Sequence, residues 1–312
     1  MTRHVSTVYL VRLTCLLYLV GVIAGICPTD HNFVLTEAPD MTRVSKQKMA
    51  EIMFEYFNVP AITIQSAGVL ALYAQGIWTG VVVDCGNRTK ITPVYEGTVI
   101  PHAVMQSCFG GVDVDNALVS ALVDKHGATY GRDTSSLDMQ HFKEQHGLVA
   151  RDSSSAAGMA VDAAADADLV VKYRMSTGTN LLFDRERFLC GEKLFDASLP
   201  NGCKGLAQGV QWSVQKCESV LRKQLFGSVL LCGGTTCIDG FPERLRHDTT
   251  ALLQSRSLDS AASDVPKVNV IAPRNRKYTA WLGGASLAQM DDFGDRILVS
   301  ADEYDERGAA AF

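Results

Sequence analysis

The chain has 312 residues, enough for two domains with cores of their own. Hydrophobic residues make up 47% and charged residues 20%, the balance of a folded globular protein rather than a disordered tract. A formal net charge of −5 excludes a chain that binds polyanions with its whole surface and leaves only a local basic patch for such a role.

The opening stretch "MTRHVSTVYLVRLTCLLYLVGVIAGIC" carries Arg3 and then an apolar run from Val8 to Cys27, broken by Arg12. Its clean part, Leu13 to Cys27, is 15 residues, short of the roughly 20 that cross a bilayer. A signal-peptide core has this length, but no small-x-small cleavage site follows. Residues 1–29 therefore read as a leader of three alternative kinds: a signal or anchor, an ordinary core helix, or an artefact of the gene model.

Beyond the leader, "NFVLTEAP" (32–39) reads as a short strand stopped by Pro39. "SKQKMAEIMFEYF" (45–57) reads as a helix capped by Ser45, with Met49, Ile52, Met53 and Tyr56 on its apolar face. A strand in "NVPAITIQ" and a buried helix "AGVLALYAQG" follow, the latter ending at Gly76. "VVVDCGNRTKITPVYEG" (81–97) predicts a hairpin whose first strand delivers an acid and a polar turn to one point, which suits a phosphate and its metal ion. Next come a helix over 113–127 with a glycine stop, a weaker helix in "SSLDMQHFKEQHGLVA", and an Ala/Ser/Asp-rich surface segment beginning at Arg151. "LVVKYRM" and "NLLFDRERF" bracket a loop as a β-hairpin. "GVQWSVQKCESVLRKQLFGSVLLCGGTT" predicts a helix, a strand at 228–232 and a Gly-Gly-Thr-Thr turn. "VNVIAP" predicts a strand, and "YTAWLGGASLAQ" a strand, a Gly-Gly break and a helix start. The nine cysteines are scattered and odd in number, which fits free thiols in a reducing compartment better than a disulfide framework. No histidine pair has metal-ligand spacing, and no nucleophile–base constellation is visible.

Several of these stretches occur together in one known order. "VLTEAP", "KMAEIMFEYFNVPA", "LALYAQG", "PVYEG" with "PHAVM", "RERFLCGEKLF", "LRKQLFGSVLLCGGTT", "VIAPRNRKYTAWLGG" and "DEYDERG" resemble actin and the actin-related proteins over about residues 30–312. The resemblance implies an α/β, two-lobed actin-like ATPase fold with a ribonuclease-H-like core in each lobe. It implies ATP with a divalent ion held by one β-hairpin per lobe, and a role as polymer subunit or assembly member. On this reading residues 30–75 and 278–312 form a first lobe truncated at its N-terminus. Residues 76–277 form the second, with 113–192 as an outer subdomain. The family's first phosphate hairpin and the small subdomain after it have no counterpart before "NFVLTEAP". That strand is then expected to show a bare edge.

The resemblance also assigns site residues. Asp84, Cys85 and Gly86 match an Asp-Ser-Gly phosphate turn, with Asp84 the carboxylate expected to hold Mg²⁺. The next Asp-Gly has become Asn87-Arg88 with one residue deleted, and a glycine that admits phosphate is lost. The histidine that orients the attacking water falls on Lys90, and the water-positioning glutamine on Ala67, with Gln65 two residues early. Lys143 and Glu144 match the pair that contacts adenosine, Gly233-Gly234-Thr235 the turn beneath the nucleotide, and Lys277 the lysine near adenine. Gly111 matches a cleft-lining glycine, and Ile238 replaces an aromatic. Read without the resemblance, Gly233-Gly234 is a plain strand-to-helix turn and Lys143-Glu144 a solvated helix face.

The expectation is an actin-like cytoskeletal or assembly protein, cytoplasmic, with ATP–Mg²⁺ binding weak or lost and no hydrolysis. Its expected partners are other actin-like subunits or assembly proteins and not nucleic acid. A membrane enters only if the leader acts as signal or anchor. The alternatives are a filament-forming ATP-binding homologue, a membrane-tethered or secreted binding module, and a truncated product without function.

Overall fold

The computed structural model describes residues 27–39, 41–127, 136–151, 170–196, 200–258, 265–290 and 293–312. The apolar run before Cys27 and the Ala/Ser/Asp-rich stretch after Arg151 lie outside the described residues. In chain order the elements are β1 (Phe33–Glu37), α1 (Arg43–Glu51) running into a π turn (Ile52–Tyr56), β2 (Ala61–Ser66), α2 (Ala67–Tyr73), β3 (Gly80–Cys85), β4 (Thr89–Tyr95), β5 (Thr98–Val99) and β6 (Met105–Ser107). Then follow α3 (Gly111–His126), α4 (Ser136–His146), β7 (Val171–Arg174), β8 (Asn180–Phe183), α5 (Glu186–Phe195), α6 (Gly205–Lys216), α7 (Ser219–Phe226), β9 (Val229–Cys232) and α8 (Phe241–Leu258). The last are β10 (Val270–Ile271), α9 (Thr279–Ala288), α10 (Phe293–Arg296), β11 (Val299–Ser300) and α11 (Ala301–Arg307). They divide into two compact units, one ending at Ala74 and resuming at Ala280–Phe312, the other Gln75–Thr279.

In the first unit β2 lies between β1 and β11, parallel to β1 with Phe33 opposite Ile62, and antiparallel to β11. Among the described residues β1 is thus an edge strand. Met53, Phe54, Val59 and Ile62 fill the core beneath this sheet, with Phe54 stacked on Tyr304 at 4.7 Å between ring centres. Each such fully buried side chain stabilises the fold by about 1.5–3 kcal/mol. Two local expectations are corrected here. The cap of α1 is Thr42, whose Oγ1 accepts from the Ser45 N–H at 3.2 Å, so Ser45 sits inside the first turn. Tyr56 is exposed rather than on the apolar face, because the helix widens into a π turn closed by Phe57 N–H to Ile52 C=O at 3.2 Å. The extra residue in that turn brings Phe54 to the core instead. A third correction concerns "WLGGASL", where the expected strand and break are one continuous helix, α9. Gly283 serves close packing there: a Cβ at this position would run into the Leu70 carbonyl of α2.

In the second unit the sheet order is β10-β9-β3-β4-β5, with β6 also on β4. β3 is central, and Val81, Val82 and Val83 are buried on both its faces, the pattern of an interior strand covered on each side. β3 and β9 run parallel, ending with Asp84 opposite Cys232, so the turns that leave them meet at one level. The expected helix over "GVQWSVQKCESVLRKQLF" is two helices, α6 and α7, because Cys217 at the end of α6 takes an extended conformation. Phe142 of α4 stacks on Phe183 of β8 at 3.7 Å, joining the β7–β8 hairpin to the core. Arg244 of α8 is 3% exposed, and its guanidinium meets Glu192 at 2.8 Å, Asp248 at 2.7 Å and the Ala150 carbonyl at 3.1 Å. A buried cation is tolerated because each side of it is paired.

Candidate functional site

The strand ends of β3 and β9 bring together two turns and the start of α3. In the β3–β4 turn, the Gly86 N–H donates to the Arg88 carbonyl at 3.1 Å. The Gly86 carbonyl accepts from the Gly111 N–H at 2.8 Å and from Thr235 Oγ1 at 3.2 Å. The hairpin therefore caps α3 and is fastened to the Gly-Gly-Thr turn. Gly110 makes room for it: a Cβ there would sit 2.5 Å from the Asn87 carbonyl oxygen and 2.6 Å from Arg88 Cα. Gly233 is left-handed, with φ of 86°, and a Cβ on it would lie 2.7 Å from Asp84 Oδ1 and overlap the Cys85 carbonyl. Only glycine meets both demands without strain.

Asp84 is half-buried and accepts no hydrogen bond from the described residues. Burial pushes its carboxyl above the usual range, opposed by the charge of Lys90 directly across the hairpin. Cys85 points the other way: its thiol is fully buried, 3.7 Å from the Thr89 hydroxyl, and burial drives its pKa up to about 12. Only the backbone of Cys85 faces the turn. Among the described residues no three His, Cys, Asp or Glu side chains gather as metal ligands. A Mg²⁺ would thus rest on Asp84, through water, and on oxygens of a bound phosphate, which is the usual way this ion is held.

The base side is built on α3, α4 and the Lys277 segment. A Cβ on Gly111 would fall 2.6 Å from Thr235 Oγ1 and 3.3 Å from Lys143 Nζ, so the lack of a side chain lets both pack against the start of α3. Lys143 is 4% exposed. Its ammonium donates to the Gly111 carbonyl at 2.9 Å and stands 2.7 Å from Asp115 Oδ1, a charge contact without hydrogen-bond angles. Burial raises the Asp115 carboxyl, and Lys143 opposes that rise. Lys143 is therefore no solvated helix-face residue. Glu144 is the exposed member: Lys277 Nζ lies 3.3 Å from it and Gln140 donates at 3.2 Å. Burial would raise Glu144, but these hydrogen bonds and the two lysine charges outweigh it and hold the carboxyl below its usual range. The stem of Lys277 passes 3.7 Å from where a Gly234 Cβ would be.

The structure thus brings Asp84, Gly86, Gly111, Lys143, Glu144, Gly233, Gly234, Thr235 and Lys277 together within the second unit, with the Cys85 thiol turned into the core. Gln65 lies in the first unit, where its amide donates to Thr63 Oγ1 at 2.9 Å, and Ala67 opens α2. Ile238 is buried just after the 3₁₀ turn Gly234–Cys237. Sequence reading missed Gly110 and Asp115. The signal for Asp115 was its place one helical turn after Gly111, on the same face of α3.

A mixed sheet whose central parallel strands end in a polar hairpin and a Gly-Gly-Thr turn, in a chain that also holds a second α/β unit, defines an α/β scaffold of the actin-like class. The family model described as Actin matches residues 18–312, and the chain belongs to that family. The match begins inside the apolar run, upstream of the motifs that start near residue 30.

Proposed function

We propose that this protein is an actin-like subunit of a cytoskeletal or assembly scaffold whose nucleotide site is degenerate, binding ATP weakly and not hydrolysing it. The observation that carries the reading is the closure of the phosphate turn on itself. The Gly86 N–H, the donor nearest the strand end, is already satisfied by the Arg88 carbonyl. Phosphoryl transfer depends on donors and cations placed around the transferred group and on a positioned water. Here Lys90 stands where a neutral water-orienting group is needed, and its charge acts on Asp84. Lys143 is neutralised within the protein by Asp115.

Adenosine recognition has more support. Glu144 and Lys277 remain accessible, and the Gly233–Thr235 turn is held by the Arg276 carbonyl accepting from the Gly233 N–H at 3.1 Å. Mg²⁺ bound with ATP would supply neutralisation of phosphate charge, with Asp84 as its carboxylate. The protein's own residues hold and orient the nucleoside. The reading places the protein in the cytoplasm among other actin-like subunits or assembly proteins. Cys27, Cys85, Cys108, Cys217, Cys232 and Cys237 are free thiols, which supports a reducing compartment. No helix among the described residues is long and apolar enough to cross a membrane.

The test is calorimetry with adenosine, ADP and Mg²⁺–ATP on purified protein, together with phosphate release. Adenosine and ATP of similar, weak affinity, both reduced by changing Glu144 and Lys277, are expected. ATP turnover above background that disappears in Asp84→Ala would overturn the reading in favour of an active ATPase. Sedimentation with and without nucleotide reports self-assembly.

A further inference from the structure

Away from the hairpin, the second unit has a cavity of about 430 Å³ along α8. Three separate stretches wall it: Arg246, His247 and Thr250 from α8, Lys267 from the chain entering β10, and Arg151 from the chain after α4. Val268, 6% exposed, belongs to its floor. Glu243 is the one carboxylate among the described lining residues. Among the described lining residues three permanent cations against one carboxylate give a formal charge of +2 on a chain whose total is −5.

The pairing of these cations differs from that of their neighbour. Arg244, on the opposite face of α8, is buried and saturated by Glu192, Asp248 and a carbonyl. The side chains of Arg151, Arg246 and Lys267 have no carboxylate within 4.0 Å among the described residues. His247 Nδ1 faces Asp248 at 3.2 Å, which leaves Nε2 toward solvent or a ligand. Like charges gathered around a concave wall raise the local potential and concentrate anions. Two guanidinium forks and an ammonium match phosphate oxygens in geometry and charge. The cavity is at the small end of ligand sites.

We propose that this cavity is a binding site for a small, multiply charged phosphate-bearing anion, separate from the hairpin site. Arg246 and Lys267 grip the phosphate from two sides, Arg151 closes the third, and Glu243 limits affinity. A free phosphorylated metabolite and a phosphorylated lipid headgroup present the same group, and the experiment separates them.

Pyrophosphate is titrated into the full chain by calorimetry, and phosphatidylcholine vesicles with and without a phosphatidylinositol bisphosphate are used in co-sedimentation. Arg246→Gln with Lys267→Gln should weaken pyrophosphate binding about tenfold or more, since each removes a charge-assisted hydrogen bond. Both side chains are exposed, so the melting temperature should hold. Glu243→Gln should tighten binding, and affinity should fall from about 50 to about 200 mM salt as screening grows. Vesicle binding lost in the same pair variant assigns a lipid headgroup; pyrophosphate binding without vesicle binding assigns a free anion. Absence of pyrophosphate binding at low salt, or loss with Arg88→Gln and Lys90→Gln but not with the Arg246 and Lys267 pair, overturns the proposal.

Discussion

Replacing Lys143 by Met tests the account of the site most directly. The ammonium is 4% exposed and faces Asp115 and the Gly111 carbonyl. Met keeps most of the volume and removes the charge, leaving Asp115 buried without its counter-ion. Removing one partner of a buried pair costs about 3–5 kcal/mol. For a unit of this size each kcal/mol lowers Tm by about 2–4 °C, so a fall of about 10 °C is expected. The loss depends on pH with a definite sign. Burial already raises the Asp115 carboxyl above its unfolded value, and without Lys143 it rises further. Such a group contributes stability that is fully present below the unfolded pKa and is lost as pH rises through the folded one. The Met variant should therefore be nearest to wild type in acid and fall behind as pH rises toward neutrality. Adding Asp115→Leu should recover most of the loss, because an apolar pair in a buried site is close to neutral. Denaturant unfolding at two pH values, carried through the double-mutant cycle, measures both effects. A single-variant cost below about 1 kcal/mol, or no recovery in the double variant, would refute the buried pair, since exposed pairs contribute no more than that.

Other consequences are simpler to measure. Gly233→Ala should lower thermal stability by more than about 2 kcal/mol, because its left-handed φ and the overlap with the Cys85 carbonyl add together. Asp84→Asn should raise stability at neutral pH and remove any Mg²⁺ dependence of nucleotide binding. Burial places the Asp84 carboxyl above its unfolded value, so its contribution falls as pH rises and the variant's advantage grows. Thiol labelling of the native protein should modify Cys108 and Cys27, which are exposed, and spare Cys85, whose pKa of about 12 and full burial keep it protonated until unfolding.

Much of the second unit was legible because its signals are local. Val81 to Val83 could only be a covered strand, Gly127 ends α3 with φ of 91°, and the Gly-Gly-Thr turn follows its strand at once. The errors arose where a local reading is degenerate. A 3.6-residue period cannot announce the π turn that exposes Tyr56. Gly283-Gly284 reads as a break until the Leu70 carbonyl is seen against it. Asp115 and Lys143 lie on different helices, and their contact is fixed by how α3 and α4 pack, which no spacing encodes. The candidate site residues were assigned through family order, whereas the internal partners of Gly86, Gly111 and Lys143 were visible only in three dimensions.

The fastening of the Gly86 carbonyl to the Gly111 N–H makes α3 a lever with its fulcrum at the hairpin. The helix is 16 residues, or about 24 Å, long, and Lys125 near its far end is clamped by Asp184 and Glu186 at 3.0 Å each. A hairpin that turned its amides outward to take an anion would uncap this helix and load that distant clamp. Lys125→Ala, by loosening the far end, would then make the hairpin easier to open without touching it.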